Sequence, residues 1–373
     1  MKRFVPSIVL VLVLVATAPF VGQLRNYLFD TFAGRAVMVL SAGFTLVGVV
    51  ALGVAIYRIR ERRWIRYGGL VVVLALVWLQ SVGFATDLAT VNVVEKMHLL
   101  AFGLLALLLY RAWHAMWDEH PLDLLILPMF WVTVAGTLDE GMQWMVETRT
   151  GEVRDIWLNV VSGAIGLLFA VCLDPPKGLR WRLLDGRLIC RSAALAIFAL
   201  GLFVYDAHLG YMIDDPEIGR FRSWHSPEEL RQAAEERTQR WATDPPGDLS
   251  PWVLEDRFLS EAGWHTHHRN SSFEHELYPL AHKANRILEK YYVPYLDLEH
   301  FRQTGDRRFP PHAVAKLEAT PPVKPENYVS PVLEGRVFVW PSKRLFLAVW
   351  LPLVTGLWLL GQRFGVSQSP RSG

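Results

Sequence analysis

The chain alternates long apolar runs with short polar joints. Apolar residues dominate Phe4 to Val21, Ala36 to Ile56, Gly69 to Thr86, His98 to Trp113, Leu122 to Leu138, Ile156 to Leu173, Ser192 to His208 and Leu345 to Leu360. Each run approaches the roughly 20 residues that a helix needs to cross a bilayer. In that environment a helix satisfies every backbone donor and acceptor by itself. The pattern therefore predicts an all-α polytopic membrane protein with about eight transmembrane helices. The first run follows Met1-Lys2-Arg3 and has small residues Ala16, Thr17 and Ala18 near its end. Its length and the Pro19 after Ala18 favour an uncleaved first helix over a signal peptide.

Between the seventh and eighth runs lies a polar segment, 209–340, that predicts a small α-rich domain. Ser226-Pro227-Glu228-Glu229 reads as an N-cap, a first-turn proline and a capping-box glutamate, predicting a helix from Pro227 to Trp241. Ser250-Pro251 predicts a second helix reaching Ala262. Leu277, Leu280, Ala281, Ala284 and Leu288 recur at helical spacing, predicting a third over Glu274 to Tyr291. Pro310-Pro311 and Pro321-Pro322 mark a loop-rich end, and Arg336 to Trp340 a short strand. The chain thus divides into 1–68 (two helices and a basic loop), 69–173 (a four-helix unit), 174–208 (a basic loop and the seventh helix), 209–340 (the polar domain) and 341–373 (the last helix and tail).

Composition agrees with the pattern: 52% of the 373 residues are hydrophobic and 15 are Trp. The net charge of +2 becomes informative when split, with −5 in 209–340 and +7 in the remainder. The basic excess sits in short loops. One, Tyr57 to Arg66, holds five arginines; the other holds Lys177, Arg180, Arg182, Arg187 and Arg191. Such loops stay cytoplasmic. Counting spans from them predicts cytoplasmic N- and C-termini in a bacterial inner membrane and an extracytoplasmic 209–340. Lys343 and Arg344 fall on the opposite side. The basic loops are a topology signal and imply no nucleic acid. The two cysteines, Cys172 and Cys190, form no disulfide framework or zinc-type spacing.

Three polar pieces interrupt this pattern on the predicted outer side. Glu95-Lys96-Met97-His98 opens the fourth run. Asp139-Glu140-Gly141-Met142-Gln143 closes the fifth. Arg149-Thr150-Gly151, followed by Asp155 and Asn159, leads into the sixth. Ionisable and amide groups at membrane depth are costly and point to function. At spacings of three or four, Glu95 and His98, Asp139 and Gln143, Glu140 and Gln143, and Asp155 and Asn159 each share a helix face. If these faces converge, Glu140 or Asp139 with His98 forms an acid/base pair. Lys96 and Arg149 then hold an anionic group, while Glu95, Gln143, Asp155 and Asn159 position it.

In order and spacing, Glu95-Lys96-Met97-His98 with Phe102, Asp139-Glu140-Gly141-Met142-Gln143, Arg149-Thr150-Gly151, and Asp155, Asn159 and Gly163 resemble the VanZ-like family of bacterial membrane proteins. The resemblance covers about residues 69–173. Where the family usually carries Asp before the lysine, this chain has Glu95. The resemblance implies an envelope protein associated, in some members, with glycopeptide (teicoplanin) resistance, and assigns no reaction. The resulting expectation is an outward-facing cluster that binds or acts on a lipid-linked or anionic headgroup, such as a membrane lipid or a lipid-linked cell-wall precursor, with no cofactor.

Other readings stay open at this point. Helix-end charges can be solvated anchors, Lys96 and Arg149 can snorkel to lipid phosphates, and Arg149 can pair with Asp155. The protein is then a non-enzymatic scaffold whose 209–340 domain binds a partner or wall component. The histidine-dense stretch Gly263 to Asn270 is a third candidate. His265 and His267 share a face in an extended strand and are possible zinc or copper ligands, although no standard metal spacing flanks them. No phosphate-binding glycine loop, nucleophile elbow or zinc-protease motif occurs.

Overall fold

A computed structural model describes the chain apart from residues 1, 33, 85–88, 118–120, 147–150, 182, 247–255, 299–306, 322, 341 and 367–373. Two compact units emerge, one of residues 1–144, 151–203 and 349–373, the other of 145–150 and 204–348.

The first unit is a helical bundle. Its helices are α1 (Val5–Phe32), α2 (Gly34–Arg58), α3 (Arg63–Gly83), α4 (Ala89–His114), α5 (Asp123–Trp144), α6 (Val153–Leu173) and α7 (Gly186–Phe203), with most of α13 (Lys343–Val366). By length and apolar composition, eight helices of the described chain are able to cross a membrane. Two of the expected bounds are corrected. The first helix continues past Val21 to Phe32. The fourth begins at Ala89, not His98, so Glu95, Lys96 and His98 lie inside α4 rather than at its opening.

Helix α6 is the hub, packing on α3, α4 and α5. Small residues allow this closeness, as is usual where lipid provides no hydrophobic drive between helices. Gly166 of α6 lies directly on Gly103 of α4, and Gly163 lies on Val132 of α5. Phe102, Leu105, Tyr110, Leu124 and Val132 fill the core between these helices.

One end of the bundle is tied by polar groups. Arg66 donates from Nε to the Cys172 carbonyl at 2.7 Å and from a terminal nitrogen to the Leu173 carbonyl at 2.5 Å. A cation there satisfies free carbonyls at the α6 C-terminus. The buried Asp123 carboxylate accepts from the Leu184 and Asp185 amides at 2.9 and 2.8 Å. Both basic loops therefore sit at one end, and the C-terminus of α5 and the N-terminus of α6 lie at the other.

The second unit holds β1 (Leu209–Asp215), β2 (Gly219–Ser223), α8 (Pro227–Arg240), α9 (Arg257–Glu274), α10 (Tyr278–Tyr291), α11 (Val293–Leu296), α12 (Pro311–Glu318) and β3 (Phe338–Val339). The strands form a sheet in the order β2-β1-β3, antiparallel then parallel. The unit is thus α-rich with a small sheet, of which sequence reading found only the third strand. The capping box is present as read: Ser226 Oγ accepts from Glu229 N, and Glu229 Oε2 accepts from Ser226 N. The proposed start at Ser250-Pro251 lies outside the described residues. The helix there, α9, begins at Arg257 behind an Asp256 cap and runs to Glu274. Glu276, with φ of 61°, then breaks the chain before α10.

The helical course of α9 corrects the histidine reading. His265 and His267 lie on a helix, two positions apart, so they face different sides. His265 is fully buried between Phe221 and Tyr292. Burial, aided by His268, pushes its imidazole down to about 3, keeping it neutral. Among the described residues no three His, Cys, Asp or Glu side chains group to hold a metal ion.

Asp215 locks the β1–β2 turn. Its carboxylate accepts from the Glu217 and Ile218 amides at 2.9 and 3.0 Å and from Tyr291 Oη at 2.6 Å, and it pairs with Lys290 at 2.8 Å. Burial alone would raise this carboxyl. The bonds from Lys290, Tyr291 and the two amides outweigh it and hold the group at about 2, below its ordinary 3.8. A depressed folded value stabilises the fold above the unfolded value, and this stabilisation is lost as pH falls through the folded one. Asp215→Asn is expected to lower the thermal midpoint at neutral pH. Relative to wild type, it should also flatten the acid dependence between about pH 4 and about pH 2. Parallel wild-type and variant profiles across that window would contradict this.

Candidate functional site

The described polar residues toward the C-terminus of α5 and the N-terminus of α6 form three tiers. In the uppermost, Asp139, Glu140 and Gln143 of α5 are buried, Glu140 completely. Gln143 Nε2 donates to Asp139 Oδ2 and Glu140 Oε1, each at 3.1 Å. Glu140 Oε2 accepts from the backbone N–H of Glu152 at 3.1 Å. Glu152 is the N-cap of α6, so Glu140 binds an amide that the helix leaves unpaired. Gly151 packs on the Glu140 carbonyl, where an added Cβ would stand 2.3 Å away.

The middle tier joins α4 to α6. His98 Nδ1 lies 2.7 Å from Asn159 Oδ1, and Asn159 is fully buried. An amide oxygen only accepts, so the contact places a proton on Nδ1, and in the neutral tautomer the lone pair then lies on Nε2. His98 stacks on Phe102, four residues along α4. Across from it, Gly136 of α5 leaves room for the Asn159 side chain; an added Cβ would stand 3.1 Å from its Cβ and Nδ2.

The lowest tier joins α3 to α6: Gln80 Nε2 donates to Ser162 Oγ at 2.7 Å, and both residues are buried. Ser162 was recognisable as the continuation of the Asp155–Asn159 face. Gln80 was missed, although an amide inside an apolar run was the available signal.

Arg154 closes the rim. It donates to Glu95 Oε1 at 2.6 Å, to Asp155 Oδ1 at 3.2 Å and to the Phe84 carbonyl at 3.0 Å, linking α6 to α4 and to the end of α3. Sequence reading offered Arg149 as the partner of Asp155. Arg149 and Thr150 lie outside the described residues, and the cation that meets Asp155 in the described chain is its neighbour Arg154. Lys96 lies half-buried on α4.

The arrangement combines buried carboxylates, an oriented imidazole and amide groups, a set suited to hydrogen-bonding a polar group and moving a proton. A separate groove of about 400 Å³ lies between α1, α4 and α5. Phe4, Val11, Leu105, Trp131, Ala135 and Leu138 line it; the polar tiers do not. Its lining is apolar apart from Ser7.

No curated protein and no solved structure matches the chain. The VanZ/LLP1 family model matches residues 8–174, a longer stretch than the resemblance read from the motifs, since it takes in α1 and α2. The same segment contains Gln80 and every residue of the three tiers. Residues 8–174, somewhat under half of the chain, are thus VanZ-like.

Proposed function

We propose that the cluster is a membrane-embedded site that binds, and is equipped to act on, the headgroup of a membrane lipid or lipid-linked envelope precursor. The observation that carries this reading is the 2.7 Å His98–Asn159 contact beneath the fully buried Glu140. Hydrogen-bonding groups placed this deep in an apolar bundle are expensive unless they serve a ligand or a reaction. His98 Nε2 is the base, Asn159 sets its tautomer, and Glu140 with Asp139 forms the acidic counterpart held by Gln143. Glu95, Arg154 and Asp155 shape the entrance, and Lys96 and Arg149 meet any anionic part of the head.

The basic loops at the far end of the bundle support an orientation in which the cluster opens toward the outer leaflet of the bacterial inner membrane. Both termini are then cytoplasmic and 209–340 is extracytoplasmic. A site there would meet lipid-linked wall precursors, which is the route by which it would influence teicoplanin-type sensitivity.

His98→Ala and Asp155→Ala, each checked for folding, test this reading in cells and on purified protein. Loss of lipid retention by native mass spectrometry, together with a change in glycopeptide sensitivity, is expected for His98→Ala. A smaller loss, about tenfold, is expected for Asp155→Ala, whose partner Arg154 keeps Glu95. Folded variants that retain both wild-type properties would refute the site.

The scaffold reading draws support from the separate core of the second unit, built on Phe221, Leu230, Phe258, Ile287 and Tyr292. It requires that replacing 209–340 by a short linker abolish function while His98→Ala leaves it intact.

A further inference from the structure

The site holds two amide groups whose second functions are unused. Asn159 Oδ1 meets His98, yet Asn159 Nδ2 has no hydrogen-bond partner. Gln80 Nε2 meets Ser162, yet Gln80 Oε1 has no partner. Both side chains are more than nine-tenths buried. A buried amide left half-paired is costly, more so where lipid replaces water outside the bundle.

The two free functions are complementary, one a donor and the other an acceptor, and both meet the same stretch of α6. Asn159 and Ser162 are three apart on α6, about 5–6 Å between Cβ atoms, and Ser162 is the residue that Gln80 grips. Gly136 of α5 lets the Asn159 side chain pack closely against it, with an added Cβ 3.1 Å from Asn159 Nδ2, while the Gly103–Gly166 contact closes the bundle below.

Resting on the reading that the cluster receives a headgroup, we propose that Asn159 and Gln80 form a subsite for one uncharged hydroxyl, as carried by a sugar or polyol headgroup. Asn159 Nδ2 donates to the hydroxyl oxygen, and the hydroxyl proton is donated to Gln80 Oε1. A hydroxyl carries donor and acceptor on a single atom. A phosphate oxygen only accepts and would face the Gln80 carbonyl lone pairs. An ammonium only donates and would leave the Asn159 N–H unpaired. The subsite therefore selects against both charged groups, while the carboxylates and Arg154 above it govern the entrance.

Full-length protein in a detergent without sugar, such as an amine oxide, is titrated with dioleoyl lipids bearing glucose, phosphate or phosphoethanolamine. Retention is read by native mass spectrometry. The glucosyl lipid is expected to bind about tenfold tighter than phosphatidic acid, as one well-placed hydrogen-bonded group allows. Gln80→Met, which keeps side-chain length and removes the acceptor, should abolish that preference. Should Gln80→Met fail to fold, wild type is compared with the glucosyl lipid and its fully O-methylated counterpart, which should lose the advantage. Equal retention of glucosyl lipid and phosphatidic acid by wild type, or an unchanged preference in folded Gln80→Met or with the methylated lipid, overturns the subsite. If that happens while retention still depends on His98, only the subsite falls. If no lipid is retained in a His98-dependent way, the headgroup reading itself falls.

Discussion

Gly166→Ala is expected to destabilise the bundle by about 2–3 kcal/mol, the range for forcing a methyl into a packed interior, whereas Gly103→Ala should be tolerated. The two glycines face each other, but the interface is not symmetrical. A Cβ on Gly166 would lie 2.2 Å from the Gly103 carbonyl oxygen and 2.4 Å from its Cα. Backbone cannot swing aside as a long side chain can, so α4 and α6 must separate. A Cβ on Gly103 would stand 3.4 Å from the Ser162 carbonyl, an ordinary contact. Its small cost is offset by the helix propensity that alanine adds, up to about 1 kcal/mol. Separation of α4 from α6 also lengthens the His98–Asn159 contact, since His98 lies on α4 and Asn159 on α6. Gly166→Ala should thus lower both the thermal midpoint and lipid retention, and Gly103→Ala neither. Equal effects of the two substitutions would mean that the helices do not meet in this register.

The membrane architecture was legible because its signal is large: an apolar run that must satisfy its own backbone has few alternatives to a helix. The polar interruptions were legible for the same reason, since each breaks a strong pattern. Helix boundaries were less so. Thr90 and Asn92 are polar enough to look like a loop, but the residues that follow carry α4 into the bundle, and tertiary packing decided its start. The histidine stretch misled because Gly263 and four consecutive polar residues, His265 to His268, look like a surface loop. On α9, however, Phe258, Glu261, Ala262, His265 and Arg269 form one buried face, and packing against α10 outweighs local preference. Periodicity over the longer window, not local polarity, was the usable sign.

The site itself was legible in its chemistry and only partly in its pairing. Spacing joins residues on one helix, as it did for Glu140 and Gln143. It says nothing of which helices face one another, so neither His98 with Asn159 nor Gln80 with Ser162 could be derived. Arg154 was overlooked beside the more conspicuous Arg149-Thr150-Gly151. A position next to Asp155 does not share its helix face, but in the first turn of α6 the long guanidinium reaches across to Glu95 and Phe84.

Glu140→Ala is the substitution expected to do most damage to the site. The Glu140 carboxylate accepts from Gln143 Nε2 and from the Glu152 N–H; removing it takes one of two carboxylate bonds from the buried Gln143 amide and the carboxylate partner from the part-buried Glu152 N–H. At about 1–3 kcal/mol per bond lost, the local cost is about 3 kcal/mol. The loss is concentrated where α6 begins. The Glu152 side chain makes no capping bond to that helix, so the Glu140 carboxylate is a tie that fixes the first turn against α5. Releasing it should let 152–156 open, moving Arg154 and Asp155 away from Glu95. Amide exchange of that turn should accelerate on the order of a hundredfold, the equivalent of about 3 kcal/mol. Exchange in β1 and β2 of the second unit should stay unchanged. Headgroup retention should fall with the opening. Glu140→Gln separates structure from charge: its carbonyl can still accept one of the two donors, but its NH₂ must face the other. About half the protection at 152–156 should therefore return, and retention should recover only if the bound group needs the anchored turn rather than the negative charge. A Glu140→Ala variant whose 152–156 amides exchange as slowly as wild type would show that α6 is held by other contacts, and the upper tier would lose its positioning role.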